Sequence, residues 1–465
     1  VLESDDNNTL QDLLTSYPRL CRLPGCLEVA SLACTLADSN TPATPTQTTW
    51  TQQLVQVCET HKEFLNTLAR EDVSLVDDGP LAVLLDHGVL EATTRTALFY
   101  ARLSDPCPSC AYILELDIQR STALRDSIEL CNAYSAWELQ HASLRVTFVG
   151  EVAQGPGVTR EWFDLLTGDL FAQSHLFTKL PDTNDIHINP EAFRDGFTSS
   201  IARQYKFAGR FLGLALSHSA TLAADLSVSL LRLILGRPVG LAELPELDAA
   251  LHNSLVWLLD NDVTDLGLTF THDFRKGENV ETVLLAPRGH LLAVTNDNKA
   301  AYVRLVVDHL ARARYLPALD SMLSGFKDVI PEHAASILEV QDVVHLLIGV
   351  GDISVDDWAT HTDYHGFAPD APQISWFWRL IAAHDQSWRT KLFKFASGLS
   401  RVPVGGFEAL PLRFQLVRSF ESESRLPTTH TCFFQLVFPA YTSYEQMTAR
   451  FEQAVSGGCG WFGME

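Results

Sequence analysis

Apolar positions recur along this chain with two different spacings, and the change of spacing divides it. Near the start, Leu54, Val57, Cys58, His61 and Leu65 fall at i, i+3, i+4 intervals, and Leu81 and Leu84 open a second such pattern. Residues 1–111 are therefore expected to form a small helical and loop region, interrupted by the Thr- and Pro-rich stretch from Asn40 to Thr51. From Ile113 the pattern changes. Alternation at Leu114, Leu116 and Ile118, and again at Leu144, Val146 and Phe148, predicts strands. Helical spacing returns over Trp162–Phe171, opened by the Gly155–Pro156–Gly157 turn, and over Tyr205–Ser219, Asp297–Leu316 and Leu319–Phe326. Gly209 and Gly213 stand four apart in the second of these, a spacing that lets another backbone come close.

A break follows at Ile348–Gly349–Val350–Gly351–Asp352, where two glycines between apolar-patterned segments predict a hinge. Beyond it come a helix rich in aromatics at Trp376, Phe377 and Trp378, and another over Trp388–Phe395. A turn spans Arg401–Phe407, strand-like runs cover Arg413–Val417 and Cys432–Phe438, and a last helix covers Ser443–Val455. The fold class is α+β. Its expected divisions are 1–111, 112–348, the hinge 349–353, and an α/β module over 354–465.

Composition adds exclusions. The 465 residues are 46% hydrophobic and 20% charged, as in an ordinary globular protein, with a formal net charge of -23. So acidic a surface repels phosphate backbones, which argues against a nucleic-acid partner. The best apolar run, Leu226–Leu235, is short and contains Arg232, so no membrane span is expected. Nine scattered cysteines and no visible signal peptide fit a reducing compartment, cytoplasm or nucleus. The chain begins at Val1 rather than Met, and a piece of a longer protein is expected.

The chemistry centres on Cys432, within Leu426–Pro427–Thr428–Thr429–His430–Thr431–Cys432–Phe433–Phe434. A free thiol titrates near about 8.5, yet the small thiolate fraction at neutral pH is a strong nucleophile. Placed after a polar segment at the start of a strand, it could be exposed and reactive, or it could be one of the many buried structural cysteines. His430 and Thr431 offer hydrogen-bonding groups, but adjacency in sequence does not make His430 face the sulfur. Other features are read as structural. Cys107 and Cys110 lack a second ligand pair for zinc, and His187 and His218 sit among apolar neighbours. Asp356 and Asp357 point to different faces of any helix, and Arg160 and Glu161 suit ion pairs. No metal or cofactor is expected.

The Leu-Pro…His-Thr-Cys-Phe run, followed by Pro439, Tyr441, Ser443, Tyr444 and Glu445, resembles the active-site signature of the HECT-type ubiquitin ligases. Further blocks follow in family order: Gly155–Pro156–Gly157 with Arg160–Glu161–Trp162–Phe163, Phe207–Ala208–Gly209–Arg210 with Leu212–Gly213–Leu214–Ala215, and Val294–Thr295–Asn296. Asp356–Asp357–Trp358 and Ser400–Arg401–Val402–Pro403–Val404–Gly405–Gly406–Phe407 continue the series, so the resemblance covers residues 112–465. Thr93–Thr94–Arg95 also resembles the upstream segment of some plant members.

The resemblance implies a bilobal domain: a mostly helical N-terminal lobe, a hinge at Gly349 and Gly351, and a smaller α/β C-terminal lobe. It implies that Cys432 accepts ubiquitin as a thioester from a conjugating enzyme and passes it to a lysine of a protein substrate, with His430 and Thr431 shaping its loop. Phe462, four places from the end, and Glu465 would assist the second transfer. Leu251, Leu255 and Leu268 would meet the conjugating enzyme, unless they are core. Two departures stand out: Phe434 occupies a position that is often Asn, and the Gly turn has Gln154 and Pro156 without the usual acid. A silent module binding ubiquitin or the conjugating enzyme is the alternative. A cysteine hydrolase is the third reading, although no spaced His and Asp or Asn set supports it.

Overall fold

The computed structural model describes residues 61–77, 88–103, 112–181, 183–276, 279–349, 353–368, 370–399, 401–403, 405–410 and 412–458. The helical pattern before residue 61, the one at Leu81 and Leu84, and the Cys107–Cys110 pair lie outside these residues. The chain separates into two compact units, Val1–Arg102 and Leu103–Glu465. In the first, helices α1 (Lys62–Glu71) and α2 (Ala92–Leu103) are tied by polar side chains. The Asn66 carboxamide donates to the Val89 carbonyl and accepts from the Glu91 amide, and Arg70 donates to Thr94.

The second unit opens with the expected strands, β1 (Tyr112–Ile118) and β2 (Ala142–Phe148), paired in parallel across helix α3 (Ala123–Ala133). Helix α4 (Pro156–Thr167) starts six residues before Trp162, because Gly155 takes φ +105 and Pro156 supplies a preset first helical residue. It runs on as a wider π-helical turn over Gly168–Gln173, followed by the short antiparallel pair β3 (Phe177–Lys179) and β4 (Ile186–Ile188).

Helix α5 (Ser199–Ser217) is capped by Thr198, whose hydroxyl accepts from the Ile201 amide. It packs against the helix over Leu316–Val329. After α6 (Val228–Ile234), a smaller cluster forms its own core from Leu244, Leu255, Leu258, Val263, Phe270, Val294, Tyr302, Val303 and Val306. Its frame is α7 (Leu244–Asp260), the hairpin β5 (Thr271–Lys276) and β6 (Asn279–Leu284), and α8 (Lys299–Ala311). Helix α7 breaks at Asp248, whose carboxylate accepts from the Leu251 amide and restarts the helix. The single helix expected over Asp297–Leu316 ends earlier, at Ala311, and Pro317 instead opens α9 (Leu316–Val329).

The α5–α9 contact is backbone against backbone. A methyl group on Gly209 would lie 1.8 Å from the Met322 carbonyl oxygen, and one on Gly325 would lie 1.9 Å from that of Lys206. Beside this contact Arg210 is buried, with its Nε 2.9 Å from Asp328 Oδ2 and its Nη1 3.0 Å from the Tyr134 carbonyl.

Helix α10 (Val340–Ile348) ends at Gly349, at φ +68 and ψ -165, a conformation essentially open only to glycine. Gly351 lies outside the described residues. The last module has its own core, centred on Trp358 of α11 (Val355–Thr360), stacked on Phe407 at 4.8 Å. Around it lie β7 (Thr362–His365), α12 (Pro372–Ala383), α13 (Gln386–Ser397), β8 (Phe414–Ser419), β9 (Thr428–His430), β10 (Gln435–Pro439) and α14 (Tyr444–Gly458). The sheet order is β7–β8–β10–β9, parallel except for the β9–β10 hairpin.

Gly209→Ala is expected to destabilise the protein by about 3 kcal/mol, because neither helix backbone can yield. Gly168→Ala, where an added methyl group meets nothing within 4 Å, should be neutral or stabilising by up to about 1 kcal/mol. Urea unfolding of both variants checks the contrast.

Candidate active site

Cys432 lies on the loop that joins β9 to β10, not within a strand. His430 pairs with Gln435, which leaves Thr431, Cys432, Phe433 and Phe434 as a four-residue hairpin loop. The strand expected from Cys432 therefore begins only at Gln435. Thr431–Phe433 form one 3₁₀ turn, closed by the Phe434 amide donating to the Thr431 carbonyl at 3.3 Å. Phe434 then takes the left-handed conformation, φ 52 and ψ 40. Bulky side chains rarely adopt it, and Asn does so more easily.

Two things hold Phe434 there. Its ring is fully buried in the core of the module, and its carbonyl accepts from the Gln415 amide of β8 at 2.9 Å. Phe433 points the other way and is 57% exposed. The loop thus has a buried anchor on one side and an open face on the other, with Cys432 in the same turn. His430 is exposed and Thr431 half-buried.

The turn is also gripped from the helical lobe. Arg160 of α4 donates from Nη1 to the Thr431 carbonyl at 3.0 Å and to the Ser397 carbonyl at 3.3 Å. Its guanidinium carbon stands 4.7 Å over the centre of the Phe434 ring. These contacts go beyond the ion pairing expected of Arg160 and Glu161; Glu161 pairs with Arg120 at 2.7 Å. Sequence reasoning did not find this role, for nothing local to Arg160 points to a turn 271 residues away. Further contacts between the lobes are Lys394 with Asp164, and Arg401 Nη2 with Asp225 Oδ1 at 2.6 Å.

The remaining candidates separate. Phe462 and Glu465 lie outside the described residues. Leu255 is 3% exposed in the small core, so the interface reading of its side chain is corrected to a packing role, because it faces inward from α7. Leu251 and Leu268 are half-buried against that core. The same subdomain leaves Trp257, Leu266, Leu291 and Leu292 exposed. Asp356 and Asp357 do diverge; Asp357 accepts from the Phe407 amide at 2.8 Å and stands 2.9 Å from His361. Cys131, unlike a reactive thiol, is buried, and desolvation pushes it up to about 12. Among the described residues no group of three His, Cys, Asp or Glu is arranged to hold a metal ion.

The two lobes meet beside the hairpin loop that carries Cys432. A family model described as HECT-domain (ubiquitin-transferase) matches residues 164–465, and the chain belongs to that family. It is 32% identical over 419 residues to a protein of Neurospora crassa named E3 ubiquitin-protein ligase TOM1-like, covering 87% of this chain and 10% of that protein. E3 ubiquitin-protein ligase ptr1 of Schizosaccharomyces pombe is 32% identical over 424 residues, covering 88% of this chain and 13% of the relative. E3 ubiquitin-protein ligase HUWE1 of Mus musculus is 32% identical over 409 residues, covering 85% and 9%. The chain spans about a tenth of the length of these relatives. Each match covers more of the chain than residues 112–465 could supply, so the likeness reaches into the upstream region.

His187 supports the structural reading made of it and has a measurable consequence. It is fully buried, with its Nδ1 2.7 Å from the Ser227 hydroxyl and its ring edge-on to Tyr315. Desolvation, assisted by Arg314, pushes its pKa down to about 3. The unfolded chain takes up this proton near about pH 6.5 and the folded chain does not. Its contribution is intact above that pH and is lost as pH falls towards 3, at up to about 1.4 kcal/mol per unit. His187→Gln should flatten the fall in stability between pH 6.5 and pH 5, as read by urea unfolding at several pH values.

Proposed function

We propose that this chain is the catalytic part of a ubiquitin ligase that carries ubiquitin on Cys432. The observation that supports the reading is the hairpin loop, an anchored turn with one open face in which Cys432 lies. In the first step the Cys432 thiolate attacks the thioester carbonyl carbon on a conjugating enzyme. A new C–S bond forms, the old one breaks, and the conjugating enzyme's thiolate leaves. In the second step the neutral amine of a substrate lysine attacks the Cys432 thioester. A C–N bond forms, the Cys432 thiolate leaves, and the surplus ammonium proton passes to solvent or a nearby base.

Residues 112–348 are assigned to the lobe that docks the conjugating enzyme, 349–353 to the hinge and 354–465 to the catalytic lobe. The docking face is assigned to the small subdomain, with Leu251 and Leu268 at its margin and Leu255 supporting it from within. Its exposed Trp257 and Leu291 favour that assignment, since large apolar side chains anchor interfaces. His430 and Thr431 shape the loop, and Phe462 and Glu465 act in the second transfer. The compartment is the cytoplasm or nucleus, where a free thiol persists.

Incubation with activating enzyme, conjugating enzyme, ATP and ubiquitin should give an adduct on a non-reducing gel that thiols discharge and Cys432→Ala abolishes. No adduct on the unsubstituted chain would overturn the ligase reading and leave a silent binding module; free product released without an adduct on lysine would favour a hydrolase. Phe462→Ala should keep the thioester and slow lysine transfer about tenfold or more; an unchanged transfer rate removes that assignment.

A further inference from the structure

We infer that Arg160 is a positioning residue for Cys432, supplied by the opposite lobe and used in the transfer to lysine. This rests on the thioester reading above and deepens it. The turn that carries Cys432 has two fixed points, and Arg160 holds both. Its Nη1 donates to the Thr431 carbonyl at 3.0 Å, the acceptor that also closes the 3₁₀ turn. Its guanidinium face covers the Phe434 ring at 4.7 Å. One planar cation therefore fixes the residue before the nucleophile and the residue two places after it. Its third contact, to the Ser397 carbonyl at the end of α13, ties the turn to the helix beneath it. Gly398, just beyond that carbonyl, turns the chain at φ +73, with Thr431 Cβ and Arg160 Cδ 3.7 Å and 3.9 Å from where a methyl group would sit, ordinary contact distances.

The site of this grip assigns the step. The lobes are joined at Arg160, Asp164, Thr221 and Asp225, all outside the Leu244–Ala311 subdomain to which the donor enzyme is assigned. The docked arrangement is thus one in which the thioester has already been received. In the transfer that follows, the lysine nitrogen must approach the thioester carbonyl carbon along a narrow path. The C–N bond forms, the C–S bond breaks and Cys432 leaves as a thiolate. A turn fixed at both ends restricts where that carbonyl can stand. Arg160 touches no reacting atom in this account; it acts through the backbone and ring that flank Cys432.

The test uses the full 465-residue chain in single turnover, with thioester loading and lysine transfer timed separately. Arg160→Ala should slow transfer about tenfold or more and change loading less than about twofold. Arg160→Lys, which keeps the charge but loses the fork and the flat face, should recover part of the transfer rate. If Arg160→Ala no longer unfolds cooperatively, Arg160→Gln carries the same comparison. Transfer within twofold of the unsubstituted chain overturns the inference, and so does an equal fall in loading and transfer, which a merely structural role would give. Failure of the unsubstituted chain to load at all is a different result: it overturns the ligase reading itself, before Arg160 is tested.

Discussion

Helices α5 and α9 run so close that Gly209 and Gly325 each face the other helix's carbonyl oxygens with no room for a methyl group. Much of the rest of the lobe is arranged by that approach. Because the backbones touch, Arg210 can lie buried along the contact and reach both Asp328 of α9 and the carbonyl of Tyr134. A buried cation is costly unless its donors are used, and here they are used to fix α5 against its surroundings. On its other side α5 offers Phe211, against which Trp162 and Phe163 of α4 set their rings. Arg160 stands two residues before Trp162 in the same helix. The position of the guanidinium over the Cys432 turn thus follows, through three packed helices, from two glycines.

The contact between the lobes is of another kind. Beyond the Arg160 hydrogen bonds and the Phe434 ring beneath them, it includes a long hydrogen bond from the Thr221 hydroxyl to the Arg401 carbonyl and two exposed or half-exposed ion pairs, Lys394 with Asp164 and Arg401 with Asp225. Pairs of that sort contribute roughly 0.2–1 kcal/mol each and weaken with salt. The module after the hinge keeps a hydrophobic core made of its own residues. Gly349 permits a chain direction at the lobe boundary that other residues resist. The carrier proposed above, which would meet a donor and then an acceptor, is served by such an arrangement: strong cohesion within each lobe and modest cohesion between them.

Much of this was legible in the sequence because periodicity reports burial. The strands at Leu114 and Leu144, the glycine-bearing helix, the aromatic helix at Trp376 and the final helix all lie where their spacing puts them. The misjudgements fall where long-range packing decides. Cys432 reads as a strand residue because Phe434, Leu436 and Phe438 alternate after it; only the pairing of His430 with Gln435 shows that the ladder stops short. Leu255 could be core or surface until α7 is seen to turn it inward, while Trp257, two residues on, faces out. Arg160 was the least legible, since its partners are backbone carbonyls and a ring far along the chain, and such partners leave no local signal.

Phe434 explains how a departure from the family pattern can leave the site intact. The hairpin geometry requires a left-handed residue directly after the 3₁₀ turn, whatever its side chain. Asn meets the requirement locally, through a short polar group that tolerates positive φ. Phe cannot, and the conformation costs of order 1–3 kcal/mol unless the surroundings impose it. Complete burial of the ring, the Gln415 hydrogen bond to its carbonyl and the Arg160 face above it supply that constraint. The turn that carries Cys432 is therefore held by tertiary packing, where an Asn at this place could hold it by local preference. Its shape then depends on contacts from both lobes, so the geometry of the Cys432 turn is coupled to the docking of one lobe on the other.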